Sequence, residues 1–96
     1  MKIKSIVGTT LSKEVVKETL RRISRAAQKD KRKTYNQLYD GRFNPQVEGV
    51  EYACLIGNTG GCWTIGIRDV RGFDSFVDMD RQITSESLAE IDYRVA

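Results

Sequence analysis

Histidine is absent from this chain of 96 residues, which also has only one proline and two cysteines. Histidine is the commonest general base near neutral pH and a usual zinc ligand, so its absence argues against most acid–base enzymes and excludes mixed Cys/His zinc spacings. Cys54 and Cys62 are too few for a disulfide scaffold. No group of residues suggests a reaction. We therefore expect a non-enzymatic protein without a metal or other cofactor.

Long apolar stretches are missing as well. None approaches the roughly 20 residues that a membrane-spanning helix needs, and residues 1–4 lack the apolar core of a signal peptide. We therefore expect a cytoplasmic protein with no membrane partner. With 40% hydrophobic and 30% charged residues, the composition is that of an ordinary globular protein. The sequence predicts a single compact domain over residues 1–96.

Charge is distributed unevenly along the chain. The net charge is +3, but residues 1–42 carry 12 Lys and Arg against 4 Asp and Glu, a balance of +8. Residues 43–96 carry 4 against 9, a balance of −5. Such asymmetry indicates an acidic partner for the first part, or pairing of the two parts within the fold or between protomers.

The best helical pattern runs from Lys13 to Lys33. Ser12 is the predicted N-cap, because its hydroxyl can accept a hydrogen bond from an unpaired N–H of the first turn, and Glu14 suits the positive helix end. Apolar residues recur at helical spacing. They are Val16, Leu20, Ile23 and Ala27. This side of the helix is predicted to pack on the core.

The opposite side of the predicted helix is basic. Its cations, mostly at i, i+4 spacing, are Lys17, Arg21, Arg22, Arg25 and Lys29. Like charges at this spacing cost a few tenths of a kcal/mol per pair, so the arrangement favours contact with an anion such as a nucleic-acid phosphate. The alternative is a solvated helix face that the acidic second part of the chain partly balances.

A second basic segment, residues 31–43, interleaves aromatic and positively charged side chains. Those of interest are Arg32, Lys33, Tyr35, Tyr39 and Arg42. The cations could hold a phosphate backbone while the tyrosines stack on unpaired bases, which is how single strands are bound. Alternatively, a short helix over residues 35–39 packs its tyrosines and Leu38 on a sheet.

Strand patterns account for most of the remaining chain. Residues 2–7 predict one strand, and residues 50–56, 62–68 and 73–79 predict a three-strand meander. Alternation assigns one side of the meander to the core. That side comprises Val50, Tyr52, Cys54, Ile56, Trp63, Ile65, Ile67, Phe73, Ser75, Val77 and Met79.

A final helix is predicted from an N-cap at Thr84 to about Arg94, with Leu88 and Ile91 in its buried stripe. The predicted fold class is therefore α+β. A small antiparallel sheet, made of the three-strand meander plus an N-terminal edge strand, packs against a long basic amphipathic helix and a C-terminal helix.

The function predicted from these features is that of a small nucleic-acid-binding protein, with RNA or single strands slightly favoured by the basic and aromatic segment. The alternative is a protein-binding modulator or inhibitor of an acidic or nucleic-acid-handling partner. A homo-oligomer that pairs oppositely charged faces is compatible with either. Metal-assisted cleavage through Asp74, Asp78 and Asp80 is less favoured, because Asp74 and Asp78 alternate along the solvent face of a strand.

Overall fold

The computed structural model describes residues 2–8, 11–30, 37–38, 41–59, 62–79 and 92–95. In chain order its elements are β1 (Lys2–Val7), α1 (Lys13–Lys29), β2 (Val50–Thr59), β3 (Cys62–Asp69), β4 (Asp74–Met79) and β5 (Asp92–Val95). The domain is α+β, with one face of a sheet covered by α1. The predicted fold class is confirmed at that level.

Helix α1 begins where the sequence predicts. The Ser12 Oγ accepts a hydrogen bond from the Val15 N–H at 3.3 Å, which satisfies one of the unpaired donors of the first turn. The helix ends at Lys29, and the Asp30 N–H donates to the Ala26 carbonyl at 2.8 Å. The sequence pattern alone does not fix this end, and residues 31–33 lie outside the described part of the chain.

The sheet has the strand order β2-β3-β4-β1-β5. Strands β2, β3, β4 and β1 are antiparallel neighbours, and β5 lies parallel to β1. The predicted meander is confirmed. The prediction that the N-terminal strand lies at an edge is wrong, because β1 lies between β4 and β5.

The C-terminal end of the predicted last helix is also wrong. Residues Asp92–Val95 form strand β5, and Lys2 of β1 pairs with Asp92. Tyr93 and Val95 favour extended structure, and the free side of β1 supplies backbone hydrogen-bonding groups that a helix would leave unused. Residues 84–91 of that predicted helix lie outside the described part of the chain.

The hydrophobic core lies between α1 and the sheet. Its fully or nearly fully buried members are Val16, Leu20, Ile23, Ala27, Leu38, Val50, Ala53, Ile65, Ile67, Val77 and Met79. The α1 residues are the predicted apolar stripe, which the structure confirms. Of the predicted short helix over residues 35–39, Gln37 and Leu38 are described, and both are helical.

A bulge in β2 changes which side chains reach this core. The register of β2 against β3 shifts between Val50 and Tyr52, so that one extra residue is accommodated. Val50 faces the core, and beyond the bulge Ala53 is fully buried while Leu55 packs against the core. The core-face prediction is wrong for Phe73, which precedes β4 and is 55% exposed. It is also wrong for three β2 residues, Tyr52, Cys54 and Ile56.

These three residues belong to the face of the sheet that is turned away from α1, which we call the open face. No described element covers it. Its members, from β2 across to β1, are Tyr52, Cys54, Ile56, Thr64, Gly66, Arg68, Asp74, Phe76, Asp78, Ser5 and Val7.

Candidate nucleic-acid interface

The five cations of α1 that the sequence singles out do not all reach solvent equally. Because the apolar stripe packs on the sheet, the opposite side of the helix is outward. Arg22, Arg25 and Lys29 are exposed, whereas Lys17 and Arg21 are half-buried. The outward surface is therefore most accessible in the second half of the helix.

Glu18 partly neutralises the middle of this surface. Its carboxylate accepts hydrogen bonds from Arg22 Nε at 3.0 Å and from the guanidinium of Arg21. The hydrogen bond from Arg22 contributes most to holding the pKa of Glu18 below its usual value. One carboxylate is thus shared by two guanidinium groups, which leaves a mixed surface with a small excess of positive charge.

The second half of the helix is purely basic. Arg25 and Lys29 are one turn apart, about 6 Å along the axis, and neither forms an ion pair with another residue in the described ranges. Of the five cations that the sequence singles out on α1, these two are the exposed ones that no described carboxylate neutralises. The C-terminal half of α1 therefore carries the cations most available to an anion, although the partial negative charge of the helix C-terminus opposes them in part.

The spacing of the cations limits what shape of ligand can touch them all. The row Lys17, Arg21, Arg25 and Lys29 spans about 18 Å along the axis, the rise of about five phosphates in one strand of a duplex. Each i, i+4 step also turns by about 40°, so the row winds about 120° around the helix. A flexible single-stranded nucleic acid can therefore contact more of these cations than a straight duplex can.

Arg42 lies apart from the cations of α1. Its Cζ is 4.6 Å from the centroid of the Tyr52 ring, on the open face, and Arg68 Cζ is 5.4 Å from the same ring. The sheet therefore separates Arg42 from the cations of α1. The structure does not bring the predicted site residues together as one surface.

The remaining predicted contacts fall outside the described residues. These are Arg32, Lys33, Tyr35 and Tyr39, and their roles stay predictions. Leu38, between the two tyrosines, is fully buried in the core, so one side of the segment is anchored to the domain at this position.

Carboxylates of β4 have partners of their own. Arg68 Nε and Nη2 donate to Asp74 at 2.8 and 3.0 Å, while Ser5 Oγ and Thr64 Oγ1 donate to Asp78 at 2.8 and 2.7 Å. Across the part of the chain that the structure describes, no group of three or more Cys, Asp or Glu residues is placed to hold a metal ion. Asp80 lies outside that part.

Sequence reasoning missed the cluster formed by Arg42, Tyr52, Arg68 and Asp74. The β2 bulge brings Tyr52 onto the same face as the other three. The signal in the sequence is weak: strict alternation with Val50, Tyr52, Cys54 and Ile56 on the core side would leave Leu55, an apolar residue, on the solvent side of β2. A shift of one residue in the register of β2 turns Leu55 toward the core and places Ala53, instead of Tyr52, in the core.

Comparison with family models, with curated proteins and with solved structures finds no match to this chain. Among the described residues, no helix is long and apolar enough to cross a membrane. The functional argument therefore depends on the chain's own residues.

Proposed function

We propose that this is a non-enzymatic nucleic-acid-binding protein that contacts phosphates through the outward side of α1. The observation that carries the proposal is the exposed pair Arg25 and Lys29, which have no ion-pair partner in the described structure and lie beside Arg21 and Arg22. The unmatched positive charge is held on a rigid element that the core fixes in place.

Binding by such a surface follows from counterion release. Each phosphate that a cation neutralises frees condensed counterions, so that log K falls with log salt by about 0.9 per contact on duplex DNA and about 0.7 on a single strand. The winding path of the α1 cations suits a single strand or a flexible RNA segment. We propose that these are preferred over a straight duplex.

Fluorescence anisotropy with single- and double-stranded DNA and RNA oligonucleotides at several salt concentrations tests this proposal. We expect salt-dependent binding of single strands, and we expect R25Q/K29Q to reduce the magnitude of the salt slope by about 1.4. R71Q is the control, because Arg71 lies in the turn after β3, away from α1, and is largely exposed. Absence of binding at low salt, or equal losses per charge in both variants, would reject the α1 surface.

Replacement of Glu18 offers a test in the opposite direction. E18Q releases Arg21 and Arg22 from their shared carboxylate, so we expect tighter binding and a steeper salt dependence. E14Q adds the same charge in the first turn of α1, where Glu14 is exposed and makes no ion pair with a described residue. If E14Q increases affinity as much as E18Q, the gain reflects net charge alone rather than the release of two arginines.

A second function, docking on an acidic protein as a modulator or inhibitor, is favoured by one observation. Glu14 and Glu18 lie on the outward side of α1, so that its first half presents charges of both signs, which a protein with a complementary charge pattern can match. Affinity capture from lysate discriminates the two functions. A partner protein retained after nuclease treatment and lost in R25Q/K29Q supports this alternative.

A further inference from the structure

We propose that the ring of Phe73, in the turn between β3 and β4, stacks on an unpaired base of the nucleic acid whose phosphates α1 contacts. This inference rests on the proposed function and adds a second contact to the same ligand. Three observations carry it: the exposure of the ring, the rigidity of the turn, and the position of the turn on the α1 side of the sheet.

Among the aromatic residues whose side chains the structure describes, Phe73 is the exposed one. Its exposed fraction is 55%, whereas Phe43, Tyr52 and Phe76 are half-buried. The Arg71 Cζ lies 5.6 Å from the centroid of the Phe73 ring, so a ligand approaches the ring from its other side. Exposed aromatic rings are the platforms on which unpaired bases stack.

Hydrogen bonds hold the turn in one conformation. Asp69, at the end of β3, is only 2% exposed, and its Oδ1 accepts hydrogen bonds from the N–H groups of Arg71 at 2.8 Å and Phe73 at 3.0 Å. Its own N–H donates to the Phe73 carbonyl at 2.9 Å. Gly72 permits this tight path with a φ of +89°. Because the backbone of Phe73 is already fixed, stacking on its ring costs little conformational entropy.

The turn lies on the same side of the sheet as α1. Ser75 is buried on that side, opposite Ile67, and side chains alternate along a strand, so Phe73 follows Ser75 on the α1 side, just beyond the core. Strand β1 leads to α1 at this end, because an added Cβ on Gly8 would lie 2.8 Å from the Asp74 carbonyl oxygen. The five residues from Gly8 to the start of α1 span at most about 18 Å. A single strand bound along α1 can therefore extend to this turn.

The charges around the turn favour contact with a base rather than with a phosphate. Arg71 lies 3.5 Å from the Asp69 carboxylate. Arg68 is paired with Asp74. Glu48, exposed two residues before β2, adds a negative charge at this end of the sheet. The described residues around the turn thus carry no excess of positive charge, and an uncharged base needs none. We therefore expect Phe73 to affect affinity without affecting the salt dependence.

Fluorescence anisotropy with a single-stranded RNA of about 16 nucleotides, the upper end of single-strand site sizes, tests this inference. We expect F73A to weaken binding by about tenfold, since the loss of one base–aromatic stack costs about five- to 150-fold. The slope of log K against log salt stays unchanged, because no phosphate contact is lost. F73W, which keeps an aromatic ring, is expected to retain binding. V70A is the matched control in the same turn, where Val70 is 68% exposed, and it leaves affinity unchanged.

An abasic strand of the same length separates stacking from phosphate contact. It keeps the phosphates but has no bases, so we expect F73A and the wild-type protein to bind it equally, and thermal unfolding confirms that each variant is folded. If R25Q/K29Q reduces the salt slope but F73A binds the RNA as tightly as V70A does, the α1 proposal stands and the Phe73 inference is overturned. An equal loss for F73A on the abasic strand and on the RNA also overturns it. No binding by the wild-type protein at low salt rejects both.

Discussion

The two faces of the sheet are built from alternate residues of the same strands, but they differ in composition. The face under α1 is mostly aliphatic, with Asp69 and Ser75 as buried polar members among the described residues, and one amphipathic helix covers it. The open face carries Val7, Ile56 and Phe76 beside polar side chains that hydrogen-bond to one another. The first composition stabilises the domain by removing apolar surface from water. The second contributes mainly through hydrogen bonds between side chains that stay partly in contact with water.

Truncation of a side chain on each face should separate these roles most clearly. Leu20 is fully buried between α1 and the sheet, so we expect L20A to lower the free energy of unfolding by about 2 to 5 kcal/mol. For Ile56 on the open face, we expect I56A to cost about 1 kcal/mol or less. Urea denaturation with a common m-value measures both. Similar losses in the free energy of unfolding for L20A and I56A would mean that Ile56 is packed as tightly as a core residue.

Two glycines give a second comparison, with a smaller expected effect. Gly8, where β1 leaves the sheet toward α1, has φ of +98°, and an added Cβ would lie 2.8 Å from the Asp74 carbonyl oxygen. We expect G8A to cost about 2 kcal/mol or more, since both the backbone conformation and a backbone contact oppose it.

Gly66 is the matched position on the open face. Its added Cβ would meet the Cδ1 of Ile56, the end of a flexible side chain that can rotate away. We expect G66A to stay within about 1 kcal/mol of the wild-type free energy of unfolding. Thermal or urea unfolding of the two variants side by side tests the difference. A larger loss for G66A than for G8A would show that Ile56 is held firmly in place.

Acid should act on the Arg68–Asp74 pair of the open face and on Asp69, which is buried at the end of β3. Hydrogen bonds from Arg68 lower the pKa of Asp74. Burial would raise the pKa of Asp69, but the N–H groups of Phe73 and Arg71 and the charge of Arg71 outweigh it and lower the value. In both cases the folded protein holds the proton less tightly than the unfolded chain does.

The stabilisation that the carboxylates of Asp69 and Asp74 provide is therefore complete above the pKa of the unfolded chain, near 4. It is lost as pH falls through the lower pKa of the folded state. We expect the melting temperature to drop between pH 5 and pH 2.5, and D74N to reduce that drop by roughly a few degrees. Thermal unfolding monitored by circular dichroism across this range measures the effect. An unchanged acid slope in D74N would mean that the Arg68–Asp74 pair contributes little to stability.

Much of the fold was predictable because several local signals agree. The N-cap at Ser12, the apolar stripe of α1 and the alternation in β3 and β4 each specify a local structure that the packed domain keeps. The bulge at Glu51 was not predictable, because it depends on how β2 fits beside β3 rather than on any residue in it. Strand β5 was missed for a related reason: its pairing partner, β1, is distant in sequence.

The candidate site was predictable only where the helical period applies. That period correctly places Arg22, Arg25 and Lys29 on the exposed side of α1. The helical period does not predict the ion pairs of Arg21 and Arg22 with Glu18. It also does not predict that Arg42 lies over Tyr52 on the open face. The predicted cations therefore form two groups, those of α1 and Arg42, which lie on opposite sides of the sheet.

The pairing of Phe43 with Ala53 affects how this protein behaves when crowded. Phe43 N–H and C=O bond the backbone of Ala53 at 2.8 and 2.7 Å, and so occupy part of the outer edge of β2. The opposite edge is β5, only 4 residues long. Short or occupied edges are poor templates for strand addition, the reaction that produces open-ended fibrils. Both edges of the sheet therefore resist the addition of strands from other copies as the protein concentration rises.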